Sequence, residues 1–173
     1  MHAAARYLNL FVEICLFRRG PQDVPASNTL LVLCGLAYLG AGLLALHSMS
    51  SPIGNSVLYA LTDMGTYGII TWVLLTATRH QVRFLQTFTT MLGTGALLSL
   101  IAWPITTWQT RETGEAGLPG LLLWGVTVWI IAVTAHILRH ALEIRRGQAL
   151  ALAMLYVIAS MVLSVVFMAQ MGD

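Results

Sequence analysis

The sequence predicts an all-α membrane protein, a bundle of five transmembrane helices preceded by an amphipathic helix at the membrane interface. Three observations predict it. The 173 residues are 57% hydrophobic and only 9% charged, whereas soluble domains carry about 25% charged residues. Five apolar stretches are long enough to supply the roughly 20 residues that cross a bilayer. The arginines fall almost entirely into alternate connections between these stretches.

The arginine distribution predicts the orientation of the bundle. Cytoplasmic connections of membrane proteins are enriched in Lys and Arg, and eight of the nine arginines here lie in connections that share one side. Only Arg111 lies on the other side, so we expect the N-terminus inside and the C-terminus outside. Arg6 precedes the first span. The other seven are candidates for lipid-phosphate contact through their guanidinium groups, although a coding bias against lysine also explains them: Arg18, Arg19, Arg79, Arg83, Arg139, Arg145 and Arg146.

The first predicted element is a helix over residues 3–17. Arg6, Asn9 and Glu13 recur at helical spacing and form one narrow polar stripe, while the other faces are apolar. Fifteen residues are too few to span a bilayer but suit a helix that lies in the interface. The side chains expected to anchor it in the lipid are Leu8, Phe11, Val12 and Phe17.

The next segment, 18–26, contains two prolines and ends this helix. Ser27 or Asn28 is a suitable N-cap for the helix that follows. We therefore divide the chain into an interfacial helix and turn, residues 1–26, and a transmembrane domain, residues 27–173. The predicted spans cover about 29–46, 53–77, 84–108, 120–138 and 148–169.

Asp63 is the only acidic residue deep within a predicted span. About ten residues of helix precede it, which places the carboxyl group roughly 15 Å into the bilayer. An ionised carboxylate there is costly unless it is paired or hydrated, and no arginine lies at matching depth in another span. Tyr59, Thr66 and Tyr67 share its helix face. These four residues form a candidate intramembrane polar site: a proton or cation site, a hydrogen-bonded contact between helices, or a contact with a cationic partner protein.

A second candidate site lies near the end of the fourth span. We expect its helix to continue through residues 139–146, which places His136, His140 and Glu143 on one face. His80, in another connection on the same side, can approach them. Imidazole groups four residues apart, together with a carboxylate, can bind zinc or iron, and paired histidines can ligate haem.

The alternative for these residues is an ordinary solvated helical extension. Glu143 has Arg139 four residues before it and Arg146 three residues after it, and both are suitable ion-pair partners. We therefore expect no cofactor, and keep haem or a metal ion as the alternative.

The third span opens with RFLQTFTTMLGT, Arg83–Thr94, and is rich in small residues. This small-residue composition, together with five closely spaced spans and an N-in, C-out arrangement, resembles that of the Yip1-like membrane proteins, which include small bacterial members. The resemblance covers the five spans. It implies a five-helix membrane fold and a non-enzymatic role, and it transfers no catalytic residue.

The leading functional expectation is an integral protein of the bacterial inner membrane that is not an enzyme. It would organise or assist other membrane proteins by binding them, membrane lipids or further copies of itself. The sequence contains no Gly-rich phosphate loop, nucleophile elbow or HExxH motif, and nothing in it indicates nucleic-acid binding. The second hypothesis is a small proton- or cation-coupled transporter component centred on Asp63, and the third is a haem- or metal-binding membrane subunit.

Overall fold

A computed structural model describes residues 2–47, 53–111 and 117–171. These residues form helices, turns and short loops with no strand, and five of the helices are long and apolar enough to cross a membrane. The all-α fold and the presence of five helices of membrane-spanning length and apolarity are therefore confirmed. The helices are α1 His2–Cys15, α2 Asn28–His47, α3 Ile53–Ala77, α4 Phe84–Arg111, α5 Leu118–Leu142 and α6 Arg146–Met171.

The start of α2 follows the sequence prediction. The backbone N–H of Leu30 donates to the hydroxyl of Ser27 at 3.4 Å, so Ser27 satisfies one of the amides that a helix start leaves unpaired. The turn before it is closed by the N–H of Gly20, which donates to the carboxylate of Asp23 at 3.0 Å.

Helix α4 is central in the bundle, where it packs against α1, α2, α3 and α5, most extensively against α2. Its buried threonines bond within the helix, since each hydroxyl donates to the carbonyl oxygen four residues earlier. The hydroxyls are thereby satisfied without partners on other helices, and α4 presents short side chains that let its neighbours approach closely. These residues are Thr87, Thr89, Thr90 and Thr94.

Helix α1 is packed into the core of this bundle. Its buried face carries Leu10, Phe11, Ile14 and Cys15, which lie against α4 and α5. At the end of α1, the indole N–H of Trp129 donates to the carbonyl oxygen of Cys15 at 3.0 Å.

Phe11 differs from the lipid anchor that the sequence predicts. Its ring lies directly against Gly93, where an added Cβ would come within 2.6 Å of the ring. The absence of a side chain on Gly93 makes room for the phenyl group, and Phe11 is only 5% exposed. The other three predicted anchors, Leu8, Val12 and Phe17, are exposed.

The helix end after α5 also differs from the sequence prediction. A continuous helix through residues 139–146 was expected, but α5 stops at Leu142 and Glu143 adopts a left-handed conformation with φ of 55°. A side-chain nitrogen of Arg83 lies 3.5 Å from the carbonyl oxygens of both His140 and Ala141. These contacts supply donors to carbonyl groups that a helix end leaves without partners.

Tertiary contacts bring the arginine-bearing connections together at one end of the bundle. The side-chain amide of Gln86 donates to the carbonyl oxygen of Val24 at 3.0 Å, which joins the turn after α1 to the start of α4. Arg83 joins the start of α4 to the end of α5. We refer to this region, residues 18–26, 78–83 and 139–146, as the arginine-rich end.

The contact between Phe11 and Gly93 generates a stability prediction. Gly93→Ala should destabilise the protein by about 1–3 kcal/mol, the usual cost of overpacking, because the new methyl group overlaps the ring. Gly125→Ala is the matched control, since nothing lies within 4 Å of a Cβ at that exposed glycine. Thermal unfolding in mild detergent measures both variants. In a Phe11→Ala background the Gly93 substitution should cost much less, and equal effects of the two glycine variants would contradict the packing.

Candidate functional site

The carboxyl group of Asp63 is buried between three helices and is 8% exposed. The hydroxyl of Tyr38 on α2 donates to its Oδ2 atom at 2.5 Å, and the side chain of Ser160 on α6 also hydrogen-bonds to it. Asp63 itself belongs to α3. Its carboxyl group therefore joins α2, α3 and α6 through polar bonds.

Tyrosine rings enclose this carboxyl group. The ring of Tyr67 lies 5.6 Å from that of Tyr38 and 4.0 Å from that of Tyr156, centroid to centroid, the second contact being edge-to-face. Tyr156 is 1% exposed. The Tyr38–Tyr67 separation lies within the range at which aromatic pairs add to the stability that burial supplies. We call Asp63, Tyr38, Tyr67, Tyr156 and Ser160 the carboxyl–tyrosine cluster.

The predicted neighbours of Asp63 on its own helix contribute unequally. Tyr67 belongs to the cluster, and Tyr59 is half-buried on α3. Thr66 instead donates its hydroxyl to the backbone oxygen of Thr62 at 2.9 Å, a bond within the helix. Sequence spacing did not identify the members from other helices, Tyr38, Tyr156 and Ser160, because periodicity relates residues only along one helix.

Two oxygen atoms of the cluster lack a hydrogen-bond partner within the described part of the chain. They are Oδ1 of Asp63 and the hydroxyl of Tyr156, and both are buried. Buried polar atoms are rarely left without partners. These two atoms therefore mark the cluster as a candidate site for a group that donates to, or coordinates, a buried oxygen.

The arginine-rich end contains two cavities. The first, of about 500 Å³, lies where α4 begins and α5 ends, and its polar lining consists of Gln22, Arg83, Gln86, Thr87, Arg139, His140 and Glu143. The second, of about 460 Å³, lies between α1 and the turn that follows it. Gln22 and Gln86 border both cavities. We call them the α4–α5 cavity and the α1 cavity.

An ion pair joins two of the residues that line the α4–α5 cavity. The guanidinium group of Arg83 lies 2.7 Å from the carboxylate of Glu143, and the imidazole Nε2 of His80 lies 3.7 Å from the same carboxylate. The hydrogen bond and charge of Arg83 lower the pKa of Glu143 below its ordinary value, so this carboxyl group is ionised at neutral pH. The left-handed turn directs Glu143 to Arg83 and His80, and neither Arg139 nor Arg146 pairs with it in the described structure.

The two histidines on α5 contact backbone oxygens. Nε2 of His136 lies 2.8 Å from the carbonyl oxygen of Arg19, and Nδ1 of His140 lies 2.9 Å from that of His136. Because a carbonyl oxygen only accepts, each of these nitrogens carries a proton and is not available as a metal ligand in this arrangement. Their rings lie 4.4 Å apart.

The structure therefore divides the four predicted metal ligands into two pairs. His136 and His140 lie against each other, whereas His80 contacts Glu143. Within residues 2–47, 53–111 and 117–171, no three His, Cys, Asp or Glu side chains are grouped as a metal site.

The remaining predicted phosphate-contacting arginines are mostly exposed. Arg19 pairs with Glu13 at 2.6 Å beside the α1 cavity. Arg139 is partly buried and lines the α4–α5 cavity. Arg19 itself is exposed, as are Arg18, Arg79, Arg145 and Arg146.

Comparisons of the chain with protein-family models, with characterised proteins and with solved structures found no match. The resemblance to Yip1-like membrane proteins stays a prediction. The function has to be inferred from the carboxyl–tyrosine cluster and the two cavities.

Proposed function

We propose that this chain is a non-enzymatic integral membrane protein that acts as an organiser or accessory subunit by binding membrane lipids and other membrane proteins. The observation that carries the proposal is the pair of polar cavities at the arginine-rich end, which adjoin the apolar helices. Guanidinium groups beside an apolar surface suit a ligand with a charged head and an apolar body. Such a role agrees with the one implied by the resemblance to Yip1-like proteins.

The proposed setting is a bacterial inner membrane, with the arginine-rich end on the cytoplasmic side. The eight arginines on that side support this orientation. Helix α1 then lies at the cytoplasmic interface and serves two purposes. Its buried face packs on the bundle, while the exposed stripe formed by Leu8, Val12 and Leu16 faces lipid or a partner protein.

A second candidate function is a proton- or cation-coupled transport component centred on Asp63. It is favoured by two buried oxygens that have no hydrogen-bond partner among the described residues, Asp63 Oδ1 and the Tyr156 hydroxyl. A carboxyl group within a membrane-spanning bundle is expensive to retain and commonly marks an ion or proton pathway. The competing role for Asp63 is a structural one, since its bonds to Tyr38 and Ser160 already join three helices.

The proposed orientation is tested by reporter fusions. Fusions after Ser50 and Gly114, both outside the described residues, should report the periplasmic side, because these connections carry little positive charge. Fusions after His80 and Arg146 should report the cytoplasm. A cytoplasmic signal at Gly114 would show that one span had been counted wrongly.

The proposed binding role is tested on the exposed face of α1. Leu8→Asn/Val12→Asn should reduce the lipid and protein retained by the full chain after purification in mild detergent, because both side chains are exposed. Quantitative lipid analysis and mass spectrometry measure the retention. Val57→Asn/Leu61→Asn, at exposed apolar positions of α3 with the same spacing, is the matched control for added polarity.

The melting temperature of the α1 variant should stay close to that of the wild type, because Phe11 and Ile14 keep their buried contacts. If the wild-type protein itself retains neither lipid nor a protein partner, the accessory role is wrong. If wild type and the α1 variant retain equal amounts of lipid and protein, the exposed face of α1 is not the binding surface.

Two substitutions of Asp63 separate its structural and transport roles. Asp63→Asn keeps the size and hydrogen bonding of the side chain but removes its titratable proton, whereas Asp63→Leu removes both. If Asp63 is structural, Asn should behave like wild type and Leu should lose about 1–2 kcal/mol of helix association. If it carries protons, Asn should abolish proton flux in proteoliposomes without changing the melting temperature. Wild-type flux in Asp63→Asn would eliminate the proton-coupled transport function.

A further inference from the structure

The two cavities at the arginine-rich end differ in their charge balance. The α1 cavity is lined by Arg6 and Arg19 and by the carboxylates of Glu13 and Asp23, two positive and two negative charges. Arg19 is already paired with Glu13 at 2.6 Å. The α1 cavity is therefore neutral in total and offers little attraction to an anion.

The α4–α5 cavity carries an excess of positive charge. Its charged lining is Arg83, Arg139 and Glu143, so two arginines face one ionised carboxylate and one positive charge remains. Arg83 is occupied, because it pairs with Glu143 and contacts the last carbonyl groups of α5. Arg139 forms no ion pair among the described residues. The uncompensated charge is therefore the guanidinium group of Arg139.

Two other polar side chains that line the cavity already donate to backbone oxygens. The hydroxyl of Thr87 donates to the backbone oxygen of Arg83, and the amide of Gln86 donates to that of Val24. Arg139 is partly buried, and a sheltered guanidinium group binds an anion more strongly than one in bulk water does. Its planar donor pairs match the oxygens of a phosphate group.

The size of the cavity also suits such a ligand. About 500 Å³ lies within the range of small-molecule sites, and one excess positive charge matches the single negative charge of a phosphate diester. We infer that the α4–α5 cavity is a binding site for a phosphate group, held by Arg139, as found in a phospholipid headgroup or a free phosphate compound. This inference rests on the proposed lipid-binding function and assigns it to one cavity.

The test is a binding measurement on the full-length protein in mild detergent. Calorimetric titration uses three probes: short-chain phosphatidylglycerol, short-chain phosphatidylcholine and inorganic phosphate. The variant is Arg139→Gln, which removes the excess charge. The matched control is Arg146→Gln, which removes the same charge from an exposed position at the same end outside both cavities.

Wild type should bind phosphatidylglycerol or inorganic phosphate more tightly than phosphatidylcholine, and Arg139→Gln should weaken that binding at least tenfold while Arg146→Gln changes it less than twofold. Arg139→Lys keeps the charge without the planar donor pair and should give an intermediate affinity. It also provides a folded comparison if Arg139→Gln lowers the melting temperature. Phosphatidylglycerol binding without inorganic phosphate binding assigns the site to a lipid headgroup, and binding of inorganic phosphate as well assigns it to a free phosphate compound.

Equal weakening by Arg139→Gln and Arg146→Gln would overturn the site, because it would indicate general attraction to a positive surface. Tighter binding of phosphatidylcholine than of phosphatidylglycerol would contradict the role given to the excess positive charge of the cavity. If wild type binds phosphatidylglycerol and Arg139→Gln binds it equally well, the cavity is wrong and the proposed lipid-binding function stands. A wild-type protein that binds none of the probes and retains no lipid or partner refutes both.

Discussion

A polar group that leaves water must find its hydrogen-bond partner inside the protein, and this constraint accounts for most of the specific contacts in the bundle. The hydroxyls of the buried threonines of α4 donate to backbone carbonyl oxygens four residues earlier in the chain. The indole N–H of Trp129 donates to the carbonyl oxygen of Cys15 at the end of α1. The side-chain amide of Gln86 donates to the carbonyl oxygen of Val24, in the turn that follows α1. The bonds of Trp129 and Gln86 also fix one segment against another. The same contacts therefore satisfy polar groups and position the helices.

The same constraint separates the two candidate sites. In the carboxyl–tyrosine cluster, Asp63 receives bonds from α2 and α6, but one of its oxygens and the Tyr156 hydroxyl have no partner in the part of the chain that the structure describes. At the arginine-rich end the unmatched group is a charge, because Arg83 is held by Glu143 while Arg139 is not paired in the described structure. The first site presents buried oxygen atoms, and the second presents a positive charge. They therefore support different functions, and substitutions at one need not affect the other.

Helix α1 connects the fold to the proposed function. Because Gly93 has no side chain, the ring of Phe11 reaches α4, and the buried face of α1 becomes part of the core. The turn after α1 then lies beside the ends of α4 and α5 and supplies Gln22 to both cavities. The cavities thus depend on the docking of α1, which a short interfacial helix without these contacts would not provide.

The helices follow from local signals in the amino-acid sequence. Apolar length predicts a span, prolines and Ser27 mark its limits, and these signals depend only on transfer from water and on bonds within one segment. The polar stripe also predicted a helix at the N-terminus, and burial cost identified Asp63 as a candidate. These features belong to single segments and do not depend on which helices are neighbours.

The choice of which helix faces meet depends on contacts between helices. In a span that is apolar on every side, lipid-facing and protein-facing residues have similar hydropathy, so periodicity does not distinguish them. The partners Tyr38, Tyr156 and Ser160 come from helices with no sequence relation to Asp63. The left-handed turn at Glu143 depends on contacts with Arg83, 60 residues away in the sequence. Shape and pairing across helices, rather than composition along them, therefore determined both candidate sites.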